Sequence, residues 1–150
     1  MKKIIRYNLI LISLIFANLA FSEGNHKIFN LGDYYLESGV TLPKAKLSYV
    51  THGKLNSKKD NLIIVPSAYL GDHHGFDFLI ESGKALDPDR YFIVATDMFQ
   101  NGLSSSPSNT PKPFNGPNFP LVSIRDNVNA GYRLVTEVFE VEKVKAVVGF

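Results

Sequence analysis

A chain of 150 residues with 45% hydrophobic and 20% charged residues is long enough for one buried core and is not the composition of a disordered chain. It contains no cysteine, which excludes a disulfide scaffold and a lipidated N-terminal cysteine. The formal charge is +2, but Lys2, Lys3 and Arg6 supply three of the positive charges. Without those three the remainder carries −1, which gives no electrostatic basis for binding nucleic acid or an anionic membrane.

The first 22 residues read as a leader. Lys2, Lys3 and Arg6 form a basic start, and residues 9–21 are apolar apart from Ser13 and Asn18. Ala20-Phe21-Ser22 is a small-x-small cleavage site before Glu23. The apolar core is shorter than the ~20 residues that span a bilayer, so the reading is a cleaved signal peptide and not an anchor. This predicts a signal peptide over residues 1–22 and an exported domain over residues 23–150, periplasmic or secreted, with no membrane contact after cleavage.

Ile28-Phe29-Asn30-Leu31 and Tyr34-Tyr35-Leu36 flank Gly32-Asp33, a pair suited to a hairpin turn. Residues 45–51 alternate as a third strand, with Leu47, Tyr49 and Thr51 on one face. Residues 53–61 are polar and lysine-rich, a surface loop. Residues 62–65, 91–95 and 144–148 are continuous apolar runs, which suit parallel strands buried on both faces. A short helix is expected around residues 76–84, stopped near Asp87-Pro88. Residues 97–119 form a long loop rich in Gly, Ser, Asn and Pro, placed after a predicted strand at the edge where α/β sheets hold ligands. A longer helix starts at Ser123, where Asp126 three residues on gives a capping-box pattern. Ile124, Val128, Gly131, Val135 and Val138 recur on one face of it at helical spacing. The order of elements predicts the α/β class, antiparallel entry strands followed by parallel strands with helices.

The chain closes on Val147-Val148-Gly149-Phe150. A buried strand running into Gly149-Phe150 has the form of the opening pair of a G-x-S-x-G nucleophile elbow, in which a Ser sits on a tight strand-to-helix turn. On that reading the nucleophile follows Phe150, and residues 23–150 are the truncated N-terminal part of an enzyme domain.

An ordered set of stretches carries a family resemblance. It runs from Leu47-Ser48-Tyr49-Val50-Thr51-His52-Gly53-Lys54-Leu55-Asn56 through Asp60-Asn61 to Ala68-Tyr69-Leu70-Gly71-Asp72. It continues with Leu86-Asp87-Pro88-Asp89-Arg90-Tyr91-Phe92, Ser104-Ser105-Ser106-Pro107-Ser108 and Phe119-Pro120-Leu121-Val122-Ser123-Ile124-Arg125-Asp126, and ends at Val147-Val148-Gly149-Phe150. Over nearly all of residues 28–150 the chain resembles the N-terminal part of the homoserine O-acetyltransferase family of α/β-hydrolases. The resemblance implies a Ser-His-Asp acyl-transfer enzyme acting on a small acyl ester or acyl acceptor, with no cofactor and with its catalytic triad beyond residue 150. It also implies that the backbone N–H of Tyr69 supplies half of an oxyanion hole. Family members in methionine biosynthesis have a His where this chain has Ser67, and they are cytoplasmic, where acetyl-CoA is found. An exported esterase of the same fold is therefore the alternative, and a non-catalytic exported binding domain the third reading.

The remaining candidates have simpler readings. Asp72-His73-His74 lacks an H-x-H or H-x-x-x-H partner, so no metal site is expected. His52 reads as structural and His26 as solvated. Ser104, Ser105 and Ser106 lack elbow glycines and a base, so they are expected to make loop hydrogen bonds. Arg125 lies in the first helical turn, where a cation opposes the helix dipole; this suggests pairing with a carboxylate, or contact with substrate.

Overall fold

The computed structural model of the protein describes residues 26–149; the proposed leader and Phe150 lie outside the described residues. Five strands form one mixed sheet: β1 (Lys27–Tyr35), β2 (Thr41–His52), β3 (Leu62–Pro66), β4 (Phe92–Thr96) and β5 (Ala146–Val147), in the order β1-β2-β4-β3-β5. β1 pairs antiparallel with β2, and β2 antiparallel with β4. β3 then runs parallel to both β4 and β5. This is the expected α/β class, with antiparallel entry strands leading into a parallel centre.

Gly32-Asp33 is not the hairpin turn. β1 runs straight through it, with register irregularities either side of Gly32, which takes φ +70°. The reversal comes four residues later, where Gly39 N–H donates to the Leu36 carbonyl at 2.9 Å. A glycine within a strand marks a bulge as readily as a turn, because both need left-handed backbone. The predicted strand at residues 45–51 is the second half of β2 and not a separate element.

The central strands are apolar on both faces because both faces are covered. Leu62, Phe92 and Val94 pack with Leu134, Val135 and Val141 on one side. Ile63, Val65, Ile93 and Ala95 pack with Phe76 and Leu86 on the other. The alternation follows the two-residue period of a strand. The short helix expected at residues 76–84 is a 3-10 turn at His73–Leu79, capped by the Asp72 carboxylate accepting from His74 N–H.

The capping box is present. Ser123 Oγ accepts from Asp126 N–H at 3.1 Å, and Asp126 Oδ2 accepts from Ser123 N–H at 2.8 Å. It opens α1 (Ile124–Arg133), which continues into a π-helical turn at Leu134–Val138. The buried face differs from the predicted one. Gly131 and Val135 are buried, but Ile124, Val128 and Val138 are exposed, and Asp126, Ala130 and Leu134 face inward instead. Asp126 is buried because it also holds β1: its Oδ1 accepts from Glu37 N–H at 2.9 Å, and its carbonyl from Tyr34 OH at 2.7 Å. Ile124, Val128, Gly131 and Val135 line an apolar groove open to solvent. β5 is likewise shorter than the run at residues 144–148 suggested, and Val147 is 63% exposed.

Candidate active site

The C-terminal ends of β3, β4 and β5 meet the N-terminus of α1, and three loops converge there. After β3, Ser67 N–H donates to the Thr96 carbonyl at 2.8 Å, and Ser67 Oγ accepts from Met98 N–H at 3.0 Å. A buried Ser at this position thus ties the loop after β3 to the loop after β4. A four-residue turn follows, closed by Gly71 N–H donating to the Ala68 carbonyl at 2.9 Å. Its third residue, Leu70, takes φ +62°, a conformation costly for a side-chain-bearing residue.

Tyr69 and Leu70 are exposed and Ala68 is half-buried, and the N–H groups of all three have no acceptor among the described residues. The Tyr69 side chain is 86% exposed, so what the residue offers inward is its backbone. Across the sheet edge, Gln100 is also left-handed at φ +75°, with its N–H donating to the Ser105 carbonyl at 3.0 Å. Asn127 of α1 accepts from Phe99 N–H at 2.7 Å. Between these loops lies a cavity of about 270 Å³, lined by Ala68, Tyr69, Leu70, Met98, Gln100 and Ile124 among others. Among the described residues no charged side chain lines it.

Parallel pairing of β5 with β3 brings the chain's last described residue to the same edge. Val148 N–H donates to the Ile64 carbonyl at 2.9 Å, and a Cβ on Gly149 would lie 3.6 Å from Pro66 Cγ. Of the three residues of the predicted site that are described, Tyr69 and Gly149 lie on segments leaving neighbouring strand ends. Arg125 is elsewhere: it extends into solvent with its guanidinium 3.2 Å from Glu37.

Ser104, Ser105 and Ser106 are buried and committed to the long loop. Ser104 Oγ donates to the Asp97 carbonyl at 2.6 Å, Ser105 Oγ accepts from Lys46 N–H at 2.9 Å, and Ser106 Oγ donates to the Ser104 carbonyl at 2.7 Å. His74 bonds Asp77 at 2.7 Å, which raises its pKa above the ordinary histidine value. His52 is shifted the other way, lowered by burial. His26 is exposed, its ring 6.3 Å from that of His73. Among the described residues no group of three or more ligating side chains converges as a metal site would require.

Sequence reasoning missed Asp97. It is fully buried, and its carboxylate bonds His73 Nδ1 at 2.9 Å and accepts from Ser48 Oγ at 2.7 Å. The available signal was its position two residues after the apolar run at residues 91–95, where an acid enters a buried setting only with partners.

The likeness to known proteins fits this geometry. The chain is 40% identical over 136 residues to an ethyl acetate hydrolase from Pseudomonas veronii, a match covering 88% of this chain and 39% of that one. It is 40% identical over 131 residues to a homoserine O-acetyltransferase from Leptospira biflexa, covering 76% of this chain and 34% of that one. Among solved structures, the acetyl esterase MekB superposes with a TM-score of 0.82 at 41% identity, covering 84% of this chain and 37% of that one. A homoserine O-acetyltransferase from Bacillus anthracis gives 0.73 at 25%, covering 82% of this chain and 39% of that one. The chain has the fold of the N-terminal portion of an α/β-hydrolase and is similar there to homoserine O-acetyltransferases and acetyl esterases. No family model matches it. The chain spans less than two fifths of the length of these relatives.

Proposed function

We propose that this α/β-hydrolase segment is the N-terminal portion of an exported enzyme that transfers a small acyl group to water, an esterase with a Ser nucleophile after Phe150. The observation that carries the reading is the turn after β3. Its three N–H groups, which have no acceptor among the described residues, stand at the strand end beside which Gly149 emerges. Attack by a hydroxyl on an ester carbonyl places negative charge on the carbonyl oxygen, and a fixed N–H such as that of Tyr69 stabilises this charge without reorganising. The second donor, and the acid and base, come from chain beyond residue 150.

Water as acceptor is favoured over homoserine because a leader at residues 1–22 would direct the protein away from cytoplasmic acetyl-CoA. A self-sufficient binding domain is disfavoured by an open apolar groove of about 640 Å³, lined by Leu47, Ile64, Val128, Val135 and Val147 among others. We propose that later segments of the enzyme cover it. The test is a fusion in which residues 26–150 replace the matched part of the Pseudomonas veronii relative. Acetate release from ethyl acetate is expected; a folded fusion without it contradicts the reading.

A further inference from the structure

We propose that Asp97 and His73 are a positioning pair that fixes the turn carrying the Tyr69 amide, with His73 held in the tautomer protonated on Nδ1. This rests on the reading of that turn as the oxyanion donor. Asp97 is 0% and His73 4% exposed, and they are 24 residues apart in sequence. Four donors converge on the carboxylate. Oδ1 accepts from His73 N–H at 2.9 Å and Asn101 Nδ2 at 3.0 Å; Oδ2 accepts from Ser48 Oγ at 2.7 Å and His73 Nδ1 at 2.9 Å.

The acceptor itself is immobile. Asp97 N–H donates to the Ser48 carbonyl at 2.9 Å, and Ser104 Oγ holds the Asp97 carbonyl at 2.6 Å. Asp97 therefore acts as a fixed post between β2, β4 and the long loop. The segment after β3 is tied at one end by Ser67 and at the other by His73, through both its backbone and its ring. Asn101 adds a link to the Gly71 carbonyl. The turn has little else to hold it, since Ala68, Tyr69 and Leu70 make no backbone hydrogen bonds through their N–H groups among the described residues. An ionised carboxylate only accepts, so the ring nitrogen facing it carries the proton. His73 Nε2 is buried with no partner, so no competing bond among the described residues selects the other tautomer.

The experiment is NMR on the whole 150-residue chain. Wild-type His73 is expected to show the ¹⁵N signature of the Nδ1–H tautomer, and Ala68–Gly71 amides to give order parameters near those of rigid backbone, about 0.85. In Asp97→Asn the carboxamide can donate towards the ring, so His73 is expected to switch to Nε2–H and the turn amides to fall below about 0.6. Ser48→Ala removes a bond to the same oxygen without touching the turn, and should leave tautomer and order parameters unchanged. An Nε2–H tautomer in the wild type, a turn as rigid in Asp97→Asn, or equal loosening in Ser48→Ala overturns the pairing. The wild-type tautomer decides even where Asp97→Asn is too unstable to study. Failure of the underlying oxyanion reading shows separately, as unchanged turnover in a Tyr69→Pro fusion.

Discussion

Burial holds the His52 imidazole below its ordinary pKa, and its Nε2 is enclosed without a partner. The unfolded chain takes up a proton near the ordinary histidine value of about 6.5, whereas the folded chain resists it. Stability is therefore lost as pH falls from that value towards the lowered folded pKa. His74 has the opposite sign: its pairing with Asp77 stabilises below about 6.5 and fades as pH rises through its raised value. That pair is exposed and counts for little. Thermal melts between pH 7 and pH 5 should show a falling Tm, and His52→Gln should flatten the slope. An unchanged slope in the variant contradicts the assignment. A histidine at a strand end was legible as structural, but not its burial. The Asp97–His73 pair was illegible, because nothing in sequence spacing joins two residues on separate loops.

At the scale of elements, polar anchors tie α1 to β1. The spacing of Ser123 and Asp126 was readable because a capping box is local. The inward placing of Asp126 was not, since its bonds to Tyr34 and Glu37 span about 90 residues of sequence. Asp126→Ala keeps the Ser123 cap but removes the reciprocal half of the capping box and strands the N–H groups of Ser123 and Glu37, an expected cost of about 2–4 kcal/mol from two unsatisfied donors. Denaturant unfolding measures it; a loss under about 1 kcal/mol would show that the anchor is dispensable. β5 is the shortest strand and, among the described residues, pairs only with β3, over two residues. Amides of Lys145 and Val148 should exchange at least about tenfold faster than those of Ile93 and Val94, in line with local opening at a sheet edge. Equal protection would mean that β5 is as secure as the centre.

The order of elements across the whole molecule was readable from runs of apolar residues, because strands covered on both faces lose the usual alternation. The sheet order β1-β2-β4-β3-β5 was not, and it is what sets Gly149 beside Pro66 and the turn amides. A backbone donor leaves no side-chain trace, so the sequence reading of Tyr69 rests on family resemblance, and its role as an oxyanion donor is a proposal that the turn's N–H groups, without acceptors among the described residues, support. The leader predicts a mature N-terminus at Glu23, which N-terminal sequencing of the periplasmic or secreted fraction checks; a product starting at Met1 there would refute cleavage. The central claim is that the turn at residues 68–71 supplies an oxyanion donor. Tyr69→Pro in the active fusion removes that N–H at the second position of a turn, where proline is well tolerated. The account predicts a kcat lower by roughly 10²–10³ with an unchanged Tm. A kcat equal to that of the unmodified fusion would contradict it.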